Sequence, residues 1–214
     1  MLRCGDDHRV CWRPACRIVG AGALATMVAV GLLACGEPSN RWVAVYGTLA
    51  HAASGAPLLR PAGQARAARQ TFSALTVSTQ SWTDVQLRVS VRTLRQLRTP
   101  VANPWEVGWV LWDFTDSRHF YYVALKPNGW EIGKEDPAYR GAQRFLATGT
   151  SPRFALGGWH AVRVSQHGAR LQISAEGRLL ASVTDRQRPY LSGRVGLYSE
   201  DAEALYSAPR INGH

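Results

Sequence analysis

Residues 84–92 read Asp-Val-Gln-Leu-Arg-Val-Ser-Val-Arg, an alternation that constrains the chain more than any other feature. Val85, Leu87, Val89 and Val91 fall on one face of an extended segment, and Gln86, Arg88, Ser90 and Arg92 on the other. Side chains of a strand alternate with period two, so this run predicts a half-buried β-strand. Strand-like segments recur at 42–49, 71–78, 106–114, 119–126, 129–134 and 142–148. A last group covers 159–166, 170–176, 178–184, 193–199 and 204–211. Turn chemistry separates them. Lys126-Pro127-Asn128-Gly129 presets one φ with Pro and supplies Gly where φ must be positive, and His167-Gly168 and Glu176-Gly177 suit tight hairpins. No long stretch has helical periodicity. About a dozen short strands with regular turns predict an all-β sandwich or barrel. Residues 50–70, rich in Ala, Gly, Pro and Arg, are expected to form a long loop with room for a short helix at 64–69.

The first 34 residues read as an address. Arg3, Arg9, Arg13 and Arg17 precede an uncharged run, 18–34, of 17 residues. A basic start followed by such a run is the pattern of a secretory signal. The run ends in Leu32-Leu33-Ala34-Cys35-Gly36, which resembles the lipobox of bacterial lipoproteins. The resemblance implies cleavage before Cys35, lipidation of Cys35, a polar tether over 35–41 and a membrane-anchored, extracytoplasmic protein. The competing reading is an uncleaved anchor helix. Cys4, Cys11 and Cys16 all lie before the cleavage point, so the exported domain would hold no disulfide and no thiolate metal site.

The formal net charge is +10 over 214 residues, and +8 from residue 35 onward, where 21 basic face 13 acidic side chains. Of the basic residues 23 are Arg and only Lys126 and Lys134 are Lys. That ratio, with abundant Ala and Gly, matches the codon bias of a GC-rich genome and weakens a nucleic-acid reading. Arg88, Arg92, Arg95 and Arg98 form a basic run that could meet phosphate, anionic glycan or lipid headgroups, with a solvated face as the plainer alternative. For an exported protein, anionic envelope polymers are better partners than nucleic acid.

The segment WHAVRVSQHGARLQISAEGRLLASVTD (159–185), followed by PYLSGRVGLYSEDAEALYSAPRI (189–211), resembles the end of concanavalin A-like jelly rolls. It is most similar to laminin-G-like and 3-keto-disaccharide-hydrolase-type domains. PWEVGWVLWDFTD, FYYVALKPNGWEIGK and QRFLATG, within 104–148, look like the central strands of that superfamily. The resemblance implies a two-sheet antiparallel β-sandwich over 42–214, with glycan held on the concave sheet. Relatives carry an Asp near the final strand, but here that stretch is Leu205-Tyr206-Ser207-Ala208, which puts a structural calcium in doubt.

Eight aromatic residues, Trp105, Trp109, Trp112, Phe114, Phe120, Tyr121, Tyr122 and Trp130, fall within 26 positions. Flat rings stack on the apolar faces of sugars, although aromatics also dominate sandwich interiors. Lys126, Glu131, Lys134, Glu135, Gln143 and Arg144 lie on or beside the same segments and offer hydrogen bonds to hydroxyls, or merely solvate hairpin ends. The candidate ligand-binding set is therefore Trp105, Trp112, Tyr122, Lys126, Trp130, Glu131, Lys134, Gln143 and Arg144. Its expected partner is a polysaccharide or oligosaccharide.

The alternative is a glycoside hydrolase or polysaccharide lyase of the same superfamily. Hydrolysis needs two carboxyl groups about 5–5.5 Å apart for retention or about 6.5–9.5 Å for inversion. The Glu-x-Asp-x-Glu strand motif of family 16 glucanases is absent, so catalysis would need a cross-strand pair such as Glu106 with Glu131. A lyase would need a base such as Tyr122 with Arg144 or Lys126. A third reading is a structural envelope protein that docks a protein partner. The histidines show no metal spacing, and Asp113-Phe114-Thr115-Asp116-Ser117 offers two carboxylates that leave room for calcium or form a plain turn.

Overall fold

The computed structural model describes residues 42–214, and the predicted signal run and Cys35 lie outside the described residues. The described chain has no helix and folds into two antiparallel sheets. Its strands are β1 (Trp42–Tyr46), β2 (Thr48–His51), β3 (Pro57–Arg60), β4 (Ser73–Thr83) and β5 (Gln86–Gln96). Next come β6 (Gly108–Asp116), β7 (His119–Lys126), β8 (Gly129–Glu135), β9 (Gln143–Gly149) and β10 (His160–His167). The last are β11 (Arg170–Ala175), β12 (Arg178–Thr184), β13 (Ser192–Glu200), β14 (Ala202–Tyr206) and β15 (Arg210–Asn212).

One sheet has the order β1-β4-β13-β6-β7-β8-β9, and the other β12-β11-β10-β5-β14-β3-β2, with β15 beside β5. The chain crosses between sheets where β4 gives way to β5 and β13 to β14. Asp84 (φ 50°) and Asp201 (φ 39°) make these crossings in the left-handed region, which Asp tolerates better than most residues. Asp201 is also tied down, since its carboxylate accepts the Phe72 N–H at 3.0 Å and Arg98 Nη2 at 2.9 Å.

The period-two pattern explains the core. Val85, Leu87, Val89 and Val91 face inward beside Val162, Val164, Leu171 and Ile173 from β10 and β11. From the other sheet, Val110, Trp112, Tyr121, Val123, Ile132 and Leu197 meet them. The outer face of that first sheet is also apolar at its centre, where Leu75, Val77, Trp109, Leu111, Phe120 and Tyr122 form a second cluster. A sheet apolar on both faces is covered on both, here by the opposing sheet and by the walls of a groove.

Two segments differ from the sequence reading. Residues 50–70 hold β3 and no helix, because Leu58 and Leu59 are buried against β14 and β2. The expected strand 204–211 breaks at Ser207-Ala208-Pro209 into β14 and β15. Pro209 has no N–H for a ladder, and the Ser207 N–H instead donates to the Ser90 carbonyl at 2.9 Å.

Candidate functional site

Strand parity assigns each side chain of the first sheet to the core or to the outer face, the one that the resemblance expects to be concave. On β8, Trp130, Ile132 and Lys134 turn inward while Glu131, Gly133 and Glu135 turn outward. On β7, Tyr121, Val123 and Leu125 are inside and Phe120, Tyr122 and Ala124 outside. On β6, Trp112 is inside and Trp109 outside. The outward residues floor a groove with two adjoining hollows of about 380 and 670 Å³, which share Trp105, Glu131 and Phe145.

The floor is a packed aromatic layer. Trp109 stacks on Tyr122 at 4.6 Å between ring centres and meets Tyr198 edge-on at 5.2 Å. The Trp109 indole N–H donates to the Trp105 carbonyl at 2.9 Å, which ties the floor to the loop that carries the rim. Gly133 makes room for Tyr122, since a Cβ there would lie 2.6 Å from the Tyr122 hydroxyl. That hydroxyl accepts from Gln143 Nε2 at 2.7 Å. The most open rings lie at the rim, and Tyr46, 38% exposed, borders the first hollow. Trp105 is 42% and Phe145 55% exposed, whereas Trp109 and Tyr122 are 5% and 0%.

Three carboxylates line the first hollow, Glu131, Glu135 and Glu200. Glu131 is held in an ion pair by Lys126. Burial, reinforced by the charge of Glu200, pushes the Glu135 carboxyl up to about 7. Burial also raises Glu200, although the Tyr198 hydroxyl donates to its Oε2 at 2.7 Å and stabilises the anion. Burial, then the Glu200 and Glu135 charges, push the Tyr46 phenol up to about 12. Two of the carboxyls lining the groove, Glu135 and Glu200, thus resist ionisation.

The nine candidate residues separate into two groups. Trp105, Tyr122, Lys126, Glu131 and Gln143 line or adjoin this groove. Trp112 and Trp130 do not belong to its face, because β6 and β8 turn their indoles into the inter-sheet core. The edge of Trp130 still reaches the wall of the second hollow, and its N–H donates to the Ser151 carbonyl at 2.9 Å. Lys134 is likewise an inward residue. Its Nζ donates to Asp185 Oδ2 at 2.7 Å and to the Gln187 and Arg188 carbonyls at 2.7 and 2.9 Å. Arg144 joins the same cluster through Asp185 Oδ1 at 3.1 Å and the Tyr139 hydroxyl.

The candidate set left out Tyr46, Trp109, Phe120, Glu135, Phe145, Tyr198 and Glu200, which all line the first hollow, although Trp109, Phe120 and Glu135 belong to the aromatic and polar groups that the sequence singles out. The signal for Phe145 was present, because it shares a face with Gln143 two positions away. Tyr46 and Glu200 arrive from strands far away in the chain and left no local signature.

The proposed carboxylate pair also fails. Glu106 is fully buried and held by Arg98 and by Asn103, whose Nδ2 lies at 2.7 Å. Arg144 is turned away from Tyr122, so the Tyr–Arg lyase pairing does not form in this arrangement. The two carboxylates considered for calcium do not converge. Asp113 accepts from Gln166 Nε2 at 2.8 Å inside the sandwich, while Asp116 accepts the Arg118 N–H at 2.8 Å on the surface. Among the described residues no group of three or more His, Cys, Asp or Glu side chains converges as a metal site.

No family model and no curated protein matches this chain. Solved structures do. The carbohydrate-binding module CBM66 from Bacillus subtilis aligns with a TM-score of 0.64 at 17% identity, covering 82% of this chain and 98% of that one. A Bacillus subtilis protein of unknown function with a galectin-like fold aligns at 0.56 and 11% identity, covering 80% and 88%. The beta-glucanase of Bacillus licheniformis aligns at 0.55 and 9% identity, covering 83% and 94%. These likenesses define the fold: the described chain is a concanavalin A-like jelly-roll sandwich.

Proposed function

We propose that the concave groove binds carbohydrate without cleaving it, and that the sandwich is carried on the outer side of a membrane by a lipid on Cys35. The carrying observation is the pair of open rings, Trp105 and Phe145, which both border the two hollows above an already packed aromatic floor. Open rings at a groove rim stack on sugar faces, and Glu131, Glu135, Gln143 and Lys126 supply hydrogen bonds to hydroxyls. The likeness to CBM66, a carbohydrate-binding module by its name, supports the same reading.

The test is a glycan array followed by titration of any hit with Trp105→Ala and Phe145→Ala. Saturable binding that both variants weaken supports the proposal, and an array without a hit overturns it. For the tether, radioactive palmitate should label the wild type and not Cys35→Ser, and globomycin should block its maturation. A wild-type protein without label overturns the anchor.

A second reading, a glycoside hydrolase, is favoured by Glu135. A carboxyl that is half protonated near neutral pH has the property of a general acid, and Glu200 borders the same hollow. Release of reducing ends that Glu135→Gln abolishes would establish hydrolysis in place of simple binding.

A further inference from the structure

The basic run of residues 88–98 does not form one patch. Arg95 pairs with Glu203 at 2.9 Å, and Arg98 is buried between Glu106 and Asp201. Arg88 instead meets two arginines from distant parts of the chain. Arg163 on β10 and Arg210 on β15 stand directly opposite Arg88, one on each side, on the outer face of the second sheet. Strands lie about 4.8 Å apart, so neighbouring cations in the row are spaced on the scale of a single sugar residue.

All three side chains are exposed, and among the described residues none is paired with an acid. Like charges directly opposite on a sheet are destabilising. Codon bias accounts for Arg in place of Lys, but not for three of them in register. They border a shallow groove of about 680 Å³ floored by small residues, Ser90, Ala161 and Ser174. A second hollow of about 390 Å³ shares Ser90, Ser207 and Ala208 with it and ends at Trp159, a ring 44% exposed. Glu176, the chain neighbour of the groove residue Gly177, accepts the Ala161 N–H at 3.0 Å and contacts His160.

We propose that this outer face is a second glycan site, selective for a linear acidic polysaccharide whose carboxylates lie along Arg163, Arg88 and Arg210 while one sugar ring rests on Trp159. Arginine forks pair with carboxylates through two parallel hydrogen bonds, and an anion there relieves the repulsion within the row. The open ring of Trp159, four positions from Arg163 along the chain and reached from the row through the two joined hollows, favours a sugar chain over a lipid headgroup surface. This site lies on the opposite sheet from the concave groove and stands independently of it.

The test uses the full-length chain in detergent micelles, titrated with an oligogalacturonate of about ten residues and with its methyl ester of equal length. The acid form should bind at least tenfold more tightly than the ester and weaken as salt screens the charges. The Arg88→Ser/Arg163→Ser/Arg210→Ser variant should lose at least tenfold in affinity without a lower Tm, since repulsion has been removed. Arg210→Ser, on a short strand at the groove, and Trp159→Ala should each lose several-fold. Trp105→Ala/Phe145→Ala should bind the acid form unchanged, which separates this site from the concave one. Equal affinity for acid and ester, no binding of the acid form, or an unaffected triple variant overturns the proposal. So does loss of binding in Trp105→Ala/Phe145→Ala, or equal affinity through the same arginines for phosphatidylglycerol vesicles or duplex DNA.

Discussion

Lys134 Nζ lies 2.7 Å from Asp185 Oδ2, and neither side chain reaches solvent. Around them Arg144 holds Asp185 Oδ1 at 3.1 Å, the Tyr121 hydroxyl donates to Asp185 Oδ2 at 2.8 Å, and the Tyr190 ring lies 4.8 Å from Nζ. Because the lysine also donates to the Gln187 and Arg188 carbonyls, the pair fastens the segment between β12 and β13 to the inner face of β8. Removing one member of a buried pair costs about 3–5 kcal/mol where the other is left alone, and the remaining Arg144 contact to Asp185 puts this site at the low end. Lys134→Met should therefore lower urea-unfolding stability by about that amount while the concave groove keeps its affinity.

The same cluster sets an acid limit on stability. Burial alone would raise the Asp185 carboxyl, but Lys134, the Gln187 N–H and the Tyr121 hydroxyl outweigh it and hold the group below the usual carboxylate range. A carboxylate depressed in the folded state adds stability above its unfolded value, and that stability is lost as pH falls through the folded value. The wild type should lose this contribution below about pH 4, the ordinary Asp range. Circular dichroism across acid titration should show a shallower decline for Lys134→Met than for the wild type.

Glu135 acts in the opposite sense. A carboxyl raised to about 7 in the fold binds protons that the unfolded chain has released, so stability falls as pH rises from the ordinary Glu range toward 7. Glu135→Gln removes that dependence. The Tm of the wild type should drop between pH 5 and 8 by more than that of the variant. Carbon-13 NMR of the Glu135 carboxyl should give a midpoint near 7, and a midpoint in the ordinary range would contradict the buried environment.

The two classes of tryptophan should separate cleanly. Trp112 is fully buried between the sheets, so Trp112→Ala should cost about 3–5 kcal/mol of stability. Trp105 is open at the rim, so Trp105→Ala should leave unfolding almost unchanged and weaken glycan binding by roughly tenfold, or about 1.4 kcal/mol. Urea unfolding and calorimetric titration on both variants measure the difference.

Gly133 should prove intolerant of even one methyl group. A Cβ would lie 2.6 Å from the Tyr122 hydroxyl and 2.8 Å from the Arg144 carbonyl, and the carbonyl is backbone that cannot swing aside. Gly133→Ala should destabilise by about 1–3 kcal/mol. It should also displace Tyr122 from Gln143, which near-ultraviolet circular dichroism would register.

Parity along the strands already held part of the site. Trp130 and Ile132 are apolar at alternate positions of β8, which identifies the inward face and places Lys134 on it beside them. A lysine in such a position invites a reading as surface cation, because nothing local announces that Asp185 waits 51 residues away. Similarly, the close spacing of Arg88, Arg92, Arg95 and Arg98 conceals that two of the four are neutralised by acids more than 100 positions away in the chain.

From its residues alone this chain determines that it is built of antiparallel strands, where most of them lie and which face of each is apolar. Those properties follow from period two and from turn residues a few positions apart, and such interactions are local. Which strands become neighbours is decided only in the folded molecule. Register brings Tyr46, Phe145 and Glu200 to one groove and Arg88, Arg163 and Arg210 into one row. Such pairings join segments distant in the chain, and their energy exists only once both sheets have closed on a shared core.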